Sequence, residues 1–381
     1  MDAVRARWAV AAVFAVHGVE AGTFATRIPW FKANAGLSAG TLGLVLLAAP
    51  IGALVAMPLS GRLAHRIGGR AMTRLSVAGF CGLLAAMAFA TGPVQLGFLL
   101  LAHGALTGSG DVVMNAQGVE VEEALGRPIM SGLHGMWSVG GLVGAGIGTV
   151  VAQTGVDARV YLAVVAVALT AFAVAVSGSL PIGRAAAAPR RFALPSRAVL
   201  GIGAVSFCAV FAEGAAANWC GVYLREVSHS GGGVAAAAYT AFALAMASGR
   251  LTGDRVVARL GVVRTVRAAG FAAVTGGLLV TLGRTSGPAV AGFALIGLGV
   301  AVIAPLAFAA SGRTSTDPAV GVAGLGTIIY TCLLVAPAAI GGLAAATSLP
   351  VAFGLVTGVA AVMTARAGSL RLADATVTAH G

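Results

Sequence analysis

Residues 61–68 read Gly-Arg-Leu-Ala-His-Arg-Ile-Gly, and a related stretch, Gly-Arg-Leu-Thr-Gly-Asp-Arg, occupies residues 249–255. The two copies begin about half the chain length apart, and each follows the second apolar block of its half. Glu20 and Glu213, each in the first apolar block of its half, have a similar separation. This duplication predicts two halves that are built on the same plan.

Around these segments the chain consists mainly of apolar blocks. A helix of about 20 apolar residues crosses the hydrocarbon core of a membrane, which is about 30 Å thick. Twelve such blocks can be delimited, and they leave room only for short loops. Their approximate edges are 8–29, 40–60, 72–92, 94–118, 131–153, 159–180, 198–221, 233–251, 263–284, 287–310, 320–345 and 349–366.

The composition excludes the main soluble classes. The chain of 381 residues is 58% hydrophobic and only 9% charged, and its mean hydropathy is +0.95. Soluble domains contain about 25% charged residues, and disordered chains are poor in apolar ones. We therefore expect an all-α integral membrane protein with twelve transmembrane helices in two parallel six-helix bundles.

The net charge of +12 reflects membrane topology rather than nucleic-acid binding. If the N-terminus is cytoplasmic, 19 of the 24 arginines and lysines fall in segments on the cytoplasmic side. Such a bias sets orientation in membranes, so both termini are predicted to be cytoplasmic. Residues 1–180 and 198–381 are then the two bundles, the second ending in a short cytoplasmic tail. A linker with three prolines and four arginines, residues 181–197, joins them.

The duplicated segment resembles the signature loop of the major facilitator superfamily, and the resemblance covers nearly the whole chain. His65 stands where the superfamily usually has Asp, whereas the second copy keeps an acid as Asp254. The resemblance implies transport by alternating access and a latch role for both loops. The latch residues it implies are Gly61, Arg62, His65, Arg66 and Gly68 in the first copy, and Gly249, Arg250, Asp254 and Arg255 in the second.

Four further stretches look like one bacterial inner-membrane branch of that superfamily, which is distantly related to fucose permease. They are residues 25–29 (ATRIP), 114–120 (MNAQGVE), 134–138 (HGMWS) and 212–219 (AEGAAANW). Fucose permease uses one embedded acid in its first helix and another in its fourth. The resemblance therefore makes Glu20 and Asp111 candidates for these two roles.

Charged side chains inside a membrane are costly, by about 2.5–3.5 kcal/mol at a helix centre, and are functional candidates. His17 and Glu20 are three residues apart and share one face of the first helix. A buried carboxyl that switches between neutral and charged forms is the simplest proton-coupling group. Glu20 is thus the predicted proton-binding residue, with His17 as its partner or relay. The alternative is that Glu20 pairs permanently with Arg27 or a neighbouring helix.

The fourth helix carries a polar residue at every fourth position, and this stripe is predicted to line a central cavity. The alternative is a hydrogen-bond network that only packs helices. Asp111 and Glu213 are further proton-coupling candidates. The substrate-cavity candidates are Arg27, His103, Thr107, Asn115, Gln117, His134, Ser138, Asn218, Trp219 and Tyr330.

Other features receive a structural interpretation. Gly140, Gly144 and Gly148 form a ridge of small residues that is typical of close helix packing. Trp219 could equally be an interfacial anchor. Glu120, Glu122 and Glu123 are expected to form ion pairs with basic loops.

The expected function is secondary active transport of a small polar solute, most simply by proton symport. Proton-antiport export of drug-like or metabolic products is the alternative within the same fold, and a receptor or scaffold is the alternative from another class. No catalytic, nucleotide-binding or metal-ligand motif is visible, so no enzyme activity, cofactor, metal or nucleic-acid partner is expected. The expected partners are the solute, protons and lipid of a bacterial inner membrane, with the protein acting as a monomer.

Overall fold

The structure, a computed structural model, describes residues 2–127, 129–181, 196–314 and 318–376. These residues are almost entirely helical and include no β-strand, which confirms the predicted all-α fold class. They form two compact units: unit 1 holds the described residues up to 181, and unit 2 those from 196. Most of the predicted linker and the end of the tail lie outside the described residues, and Arg197 already belongs to a helix.

Unit 1 contains seven helices within its described residues. They are α1 (Ala3–Asn34), α2 (Ala39–Leu46), α3 (Ala48–Ile67), α4 (Gly69–Met87), α5 (Pro93–Leu125), α6 (Met130–Thr154) and α7 (Ala158–Val176). The described part of unit 2 also contains seven. They are α8 (Arg197–Glu226), α9 (Gly232–Leu260), α10 (Val262–Leu282), α11 (Ser286–Val300), α12 (Ile303–Ser311), α13 (Pro318–Ala346) and α14 (Leu349–Ala365).

The helices correspond to the twelve predicted spans. Ten helical segments of the described chain are long and apolar enough to cross a membrane, if α2 with α3 and α11 with α12 each count as one. The third and twelfth predicted spans correspond to α4 and to the shorter α14. Arg70 and Arg74 in the first turns of α4 lower its hydropathy, although its later turns are apolar.

Two spans are interrupted, and a proline explains each interruption. Proline lacks a backbone N–H, and its ring clashes with the carbonyl four residues earlier. Pro50 lies four residues after Leu46, where α2 ends. Pro305 lies four residues after Ala301, which separates α11 from α12.

The two units have the same pattern of helix neighbours. In unit 1, α1 packs against α5, α6 and α7, and α4 packs against α5 and α7. In unit 2, α8 packs in the same way against α11, α13 and α14, and α10 packs against α11 and α14. The first helix of each unit is thus its central element, and the duplication seen in sequence extends to the packing.

Glycines on both partners bring α1 and α6 into backbone contact. A Cβ atom added at Gly144 would lie 2.2 Å from the carbonyl oxygen of Val19, and one at Gly140 would lie 2.2 Å from that of Ala15. From the other side, a Cβ at Gly22 would lie 2.1 Å from the carbonyl oxygen of Gly141. The small-residue ridge predicted to pack helices therefore does so.

The core of unit 2 is aromatic beside α8. The rings of Tyr223, Phe293 and Phe353 meet edge to face, with centroids 5.1–5.8 Å apart. The Tyr223 hydroxyl donates to the carbonyl oxygen of Val280. This bond satisfies the one polar atom of a side chain that is otherwise embedded in apolar groups.

The duplicated charged segments do not form the loops expected of them. Residues 61–67 are the last turns of α3, and 249–255 lie inside α9. The turns themselves are made by Gly68 and Gly261, with φ of +88° and +75°. Both glycines adopt a positive φ that L residues rarely take, so the chain stays helical until it reaches them.

We predict that Gly144→Ala destabilises the protein, because an added methyl group must displace the backbone of α1. Overpacking of this kind costs about 1–3 kcal/mol. Gly146→Ala is the matched control, since a Cβ atom there meets no atom within 4 Å. The measurement is the thermal midpoint of purified protein in detergent. Equal midpoints for the two variants would contradict the tight α1–α6 contact.

Candidate functional site

A buried acid–histidine pair joins α1 to α5. Glu20 Oε1 and His103 Nε2 are 2.8 Å apart, and the two side chains are 4% and 8% exposed. Phe24 stacks on the His103 ring with centroids 5.9 Å apart. Phe80 of α4 meets the same ring edge-on at 6.3 Å. The pair is thus a polar contact enclosed by apolar and aromatic groups.

His17 is near this pair but is not the hydrogen-bond partner predicted for Glu20. Its ring packs edge-on against Phe80 at 4.6 Å and lies against the α5 backbone at Gly110. Its Nε2 atom is buried and has no hydrogen-bond partner among the described residues. The i,i+3 spacing correctly predicted that His17 and Glu20 share one face of α1. The carboxyl of Glu20, however, contacts His103 of α5 and not His17.

The polar stripe of α5 splits into a buried and a half-buried part. His103 is buried. Thr107 donates to the carbonyl oxygens of His103 and Gly104, and Asn115 donates to the carbonyl and Oδ1 of Asp111 at 2.8 and 3.1 Å. Gln117 is buried, and its Oε1 accepts from Thr73 of α4 at 3.1 Å. Glu20 does not pair with Asp111, so the two acids stay separate.

Arg27 binds within unit 1 and does not pair with Glu20. It is buried, donates to the carbonyl oxygen of Gly148 on α6 at 3.1 Å, and covers the ring of Tyr161 on α7 at 4.7 Å. These contacts tie three helices together. They hold Arg27 in place of the permanent ion pair with Glu20, and its contact with a solute stays a prediction.

The candidates on α6 lie away from the acid–histidine pair. His134 is exposed and meets Phe14 edge-on at 5.2 Å. Ser138 is half-buried and donates to the carbonyl oxygen of His134. Both side chains are at least partly exposed on the surface of unit 1, and their place in a cavity wall stays a prediction.

Unit 2 carries a more open ion pair. Arg250 Nη2 on α9 and Glu213 Oε1 on α8 are 3.3 Å apart, and the side chains are 33% and 31% exposed. Asn218 donates to the carbonyl of Gly214 and is half-buried, as is Tyr330 on α13. Trp219 is fully buried, so it is not exposed at a surface as an interfacial anchor would be, and its contact with a solute stays a prediction.

The site residues thus form two pairs, and in each pair the acid lies on the first helix of its unit. The pair in unit 1 is enclosed, and the ion pair in unit 2 is accessible.

Similarity to known proteins agrees with a transporter fold. The sequence profile of the Major Facilitator Superfamily matches residues 10–331. The chain belongs to this superfamily.

A superfamily transporter of Yersinia pestis described as uncharacterised is 36% identical over 353 residues, which cover 90% of each chain. Among solved structures, the nucleoside transporter NupG superposes with a TM-score of 0.76 at 14% identity, covering 97% of this chain and 99% of that one. FucP, crystallised in an outward conformation, superposes with a TM-score of 0.61 at 15% identity, covering 95% of this chain and 97% of that one. At these identities the structures support the fold alone.

Within the superfamily's signature segments, the side chains are divided between two environments. Arg62, His65 and Arg66 are exposed on the last turns of α3, and Asp254 and Arg255 are exposed on α9. Arg250 instead points toward Glu213 of α8. The latch role stays a prediction for the exposed residues, and Arg250 has a second partner that the motif does not indicate.

The three glutamates at the end of α5 are not equivalent. Glu122 accepts hydrogen bonds from the backbone N–H groups of Ile129 and Met130, at 2.7 and 3.0 Å. It therefore caps the start of α6, where helix N–H groups lack partners, instead of pairing with a basic loop. Glu120 is half-buried and Glu123 is exposed.

Several residues of the site were missed by sequence reasoning. Ser76 and Thr73 of α4 are buried polar residues beside α5, and the Phe80 ring contacts both His17 and His103. Their three- and four-residue spacing along α4 was the available signal. Single hydroxyls inside an apolar block resemble packing residues, so the signal was weak.

We predict that Glu20 and His103 are energetically coupled. In Glu20→Leu or His103→Leu, the remaining partner is left buried and unpaired, which costs about 3–5 kcal/mol. The double variant should lose clearly less than the sum of the single losses. The measurement is the free energy of unfolding in detergent, with Glu123→Leu as an exposed control. Additive losses would show that the pair contributes no coupling.

Proposed function

We propose that the protein is a proton-coupled secondary transporter of a small polar solute, working by alternating access in a bacterial inner membrane. Membership of the Major Facilitator Superfamily supports secondary transport. The proposal includes symport as the direction of coupling, two functional halves with cytoplasmic termini, and action as a monomer without catalysis.

The observation that carries proton coupling is the enclosed contact of Glu20 with His103. With one proton between them the pair has no net charge, whether that proton sits on the carboxyl or on the ring. Loss of the proton would leave a net negative charge among apolar groups, which is strongly disfavoured. Proton release is therefore favoured only in a state that lets water reach the pair, and this links the proton to a conformational change.

The accessible groups suit a polar, hydroxyl-bearing solute. Glu213, Arg250 and Asn218 offer a carboxylate, a guanidinium and an amide, all partly exposed. Such groups orient a solute through hydrogen bonds in an otherwise apolar pocket. NupG, whose fold this chain shares, is a nucleoside transporter. Nucleosides and monosaccharides are thus the first compounds to test.

The first experiment identifies a solute and the direction of proton movement. Nucleosides and monosaccharides are screened by thermal shift at two pH values, and compounds that stabilise the protein are added to proteoliposomes. Symport predicts that the outside medium becomes alkaline on addition. Acidification would instead support antiport export. No stabilising compound and no proton movement would favour a receptor or scaffold.

We predict that Glu20→Gln lowers the accumulation of such a solute by about tenfold or more when a pH gradient drives uptake. The reason is that the amide cannot bind the proton. Exchange of labelled for unlabelled solute should continue, since it needs no net proton movement. Glu123→Gln is the control, as that acid is exposed at the end of α5. Accumulation equal to wild type in Glu20→Gln would exclude Glu20 as the coupling residue.

A further inference from the structure

Buried polar side chains continue from the Glu20–His103 pair toward one end of unit 1. His17 lies one turn before Glu20 on α1, and Ser76 and Thr73 lie on successive turns of α4. Gln117 lies on α5 beyond Gly110. Each of these side chains is at most 6% exposed. From His17 to Thr73 these residues lie progressively closer to the end of unit 1 at which Gly68 forms the turn between α3 and α4.

Neighbouring members of this set lie close together. A Cβ atom built on Gly110 would be 2.9 Å from His17 Nε2 and 3.3 Å from the Ser76 Cβ, so both side chains meet at this glycine. Thr73 is one turn from Ser76 and donates to Gln117 at 3.1 Å. Each step is therefore a hydrogen bond, a shared contact or one helical turn.

Three atoms along this set have unsatisfied hydrogen-bonding capacity. His17 Nε2, Ser76 Oγ and Gln117 Nε2 are buried without a hydrogen-bond partner among the described residues. Each unpaired buried atom costs about 1–3 kcal/mol, so these three positions favour an added hydrogen-bond partner such as water. The His17 imidazole and the Ser76 hydroxyl can each donate and accept a hydrogen bond, as proton transfer requires, and the Gln117 amide nitrogen can donate one.

We propose that these side chains form a proton path inside unit 1, from the Glu20–His103 pair through His17, Ser76 and the Thr73–Gln117 contact. This inference rests on the proposed proton coupling and adds its route. Glu120, half-buried one turn beyond Gln117, is the carboxyl through which the path meets solvent. The arginine distribution predicts that this end is cytoplasmic. Protons then reach the pair without sharing the route of the solute.

Other titratable or charged groups that face this part of α1 have contacts outside the path. Cys81 of α4 belongs to an apolar cluster with Val16 and Phe80. Tyr161 of α7 and Arg27 contact each other toward the other end of α1. His134 of α6 lies against Phe14. The proton is thus relayed by His17 and the hydroxyl groups.

The test uses protons as the only probe and needs no solute. Purified full-length protein in detergent is subjected to a rapid pH jump, and arrival of the proton at the Glu20–His103 pair is followed by stopped-flow infrared spectroscopy of the carboxyl and imidazole bands. The bands of the pair are identified by their loss in Glu20→Gln and His103→Asn. Gly110→Ala should slow protonation by about tenfold or more, because the added methyl displaces the His17 ring, while the final amplitude is unchanged.

Ser76→Ala is the second variant, since it removes one atom and no packing group, and it should slow protonation in the same way. Gly82→Ala and Ser248→Ala are the matched controls: the first adds a methyl in open space on α4, and the second removes an exposed hydroxyl. Wild-type rates in both path variants, with full amplitude, would overturn the path but leave the proposed function. A wild-type protein in which neither member of the Glu20–His103 pair takes up a proton after the jump would overturn both.

Discussion

The contact between Glu20 and His103 is the interaction on which this account depends. Removing one charge from such a pair leaves the other uncompensated in an apolar interior, so each side chain stabilises its partner's position. Four aromatic or imidazole rings, from Phe24, Phe80, His17 and His103 itself, surround the carboxyl region. The pair therefore fixes α1 against α5 and at the same time gives unit 1 a proton-binding group.

The two units use one helical plan for different tasks. Their first helices carry acids at corresponding positions, but Glu20 is 4% exposed and faces a histidine, whereas Glu213 is 31% exposed and faces an arginine. An arginine stays charged in proteins, so Glu213 faces a fixed positive charge, whereas Glu20 faces a ring that can itself bind a proton. We infer a division of labour in which unit 1 binds the proton and Glu213 with Arg250 contributes to solute binding.

The helices and the fold class could be predicted from sequence because each span satisfies a local condition. Twenty apolar residues must form a helix in hydrocarbon, and a glycine ridge such as that ending at Gly148 must pack closely. The turns were misplaced because the charged residues before Gly68 look like a loop. Only the backbone shows that the helix continues until the glycine itself.

The partners within the site could not be predicted in the same way. The spacing of His17 and Glu20 describes one helix, whereas the partner of Glu20 lies 83 residues away on another. That pairing depends on how α1 and α5 cross, which no local pattern reports. The same holds for Arg250, whose motif suggested a latch but whose side chain reaches Glu213. Trp219 resembled an anchor because its burial depends on neighbours from other helices.

The most direct test of the central claim is the contact between Glu20 and His103 itself, followed at a fixed pH by 15N NMR of the His103 ring nitrogens in lipid nanodiscs and assigned with His103→Asn. We expect Glu20→Gln to shift the Nε2 signal, because the carboxyl that lies 2.8 Å from this atom is lost. Glu123→Gln, at an exposed position, should leave the signal unchanged. Identical His103 signals in wild type and Glu20→Gln would contradict the contact.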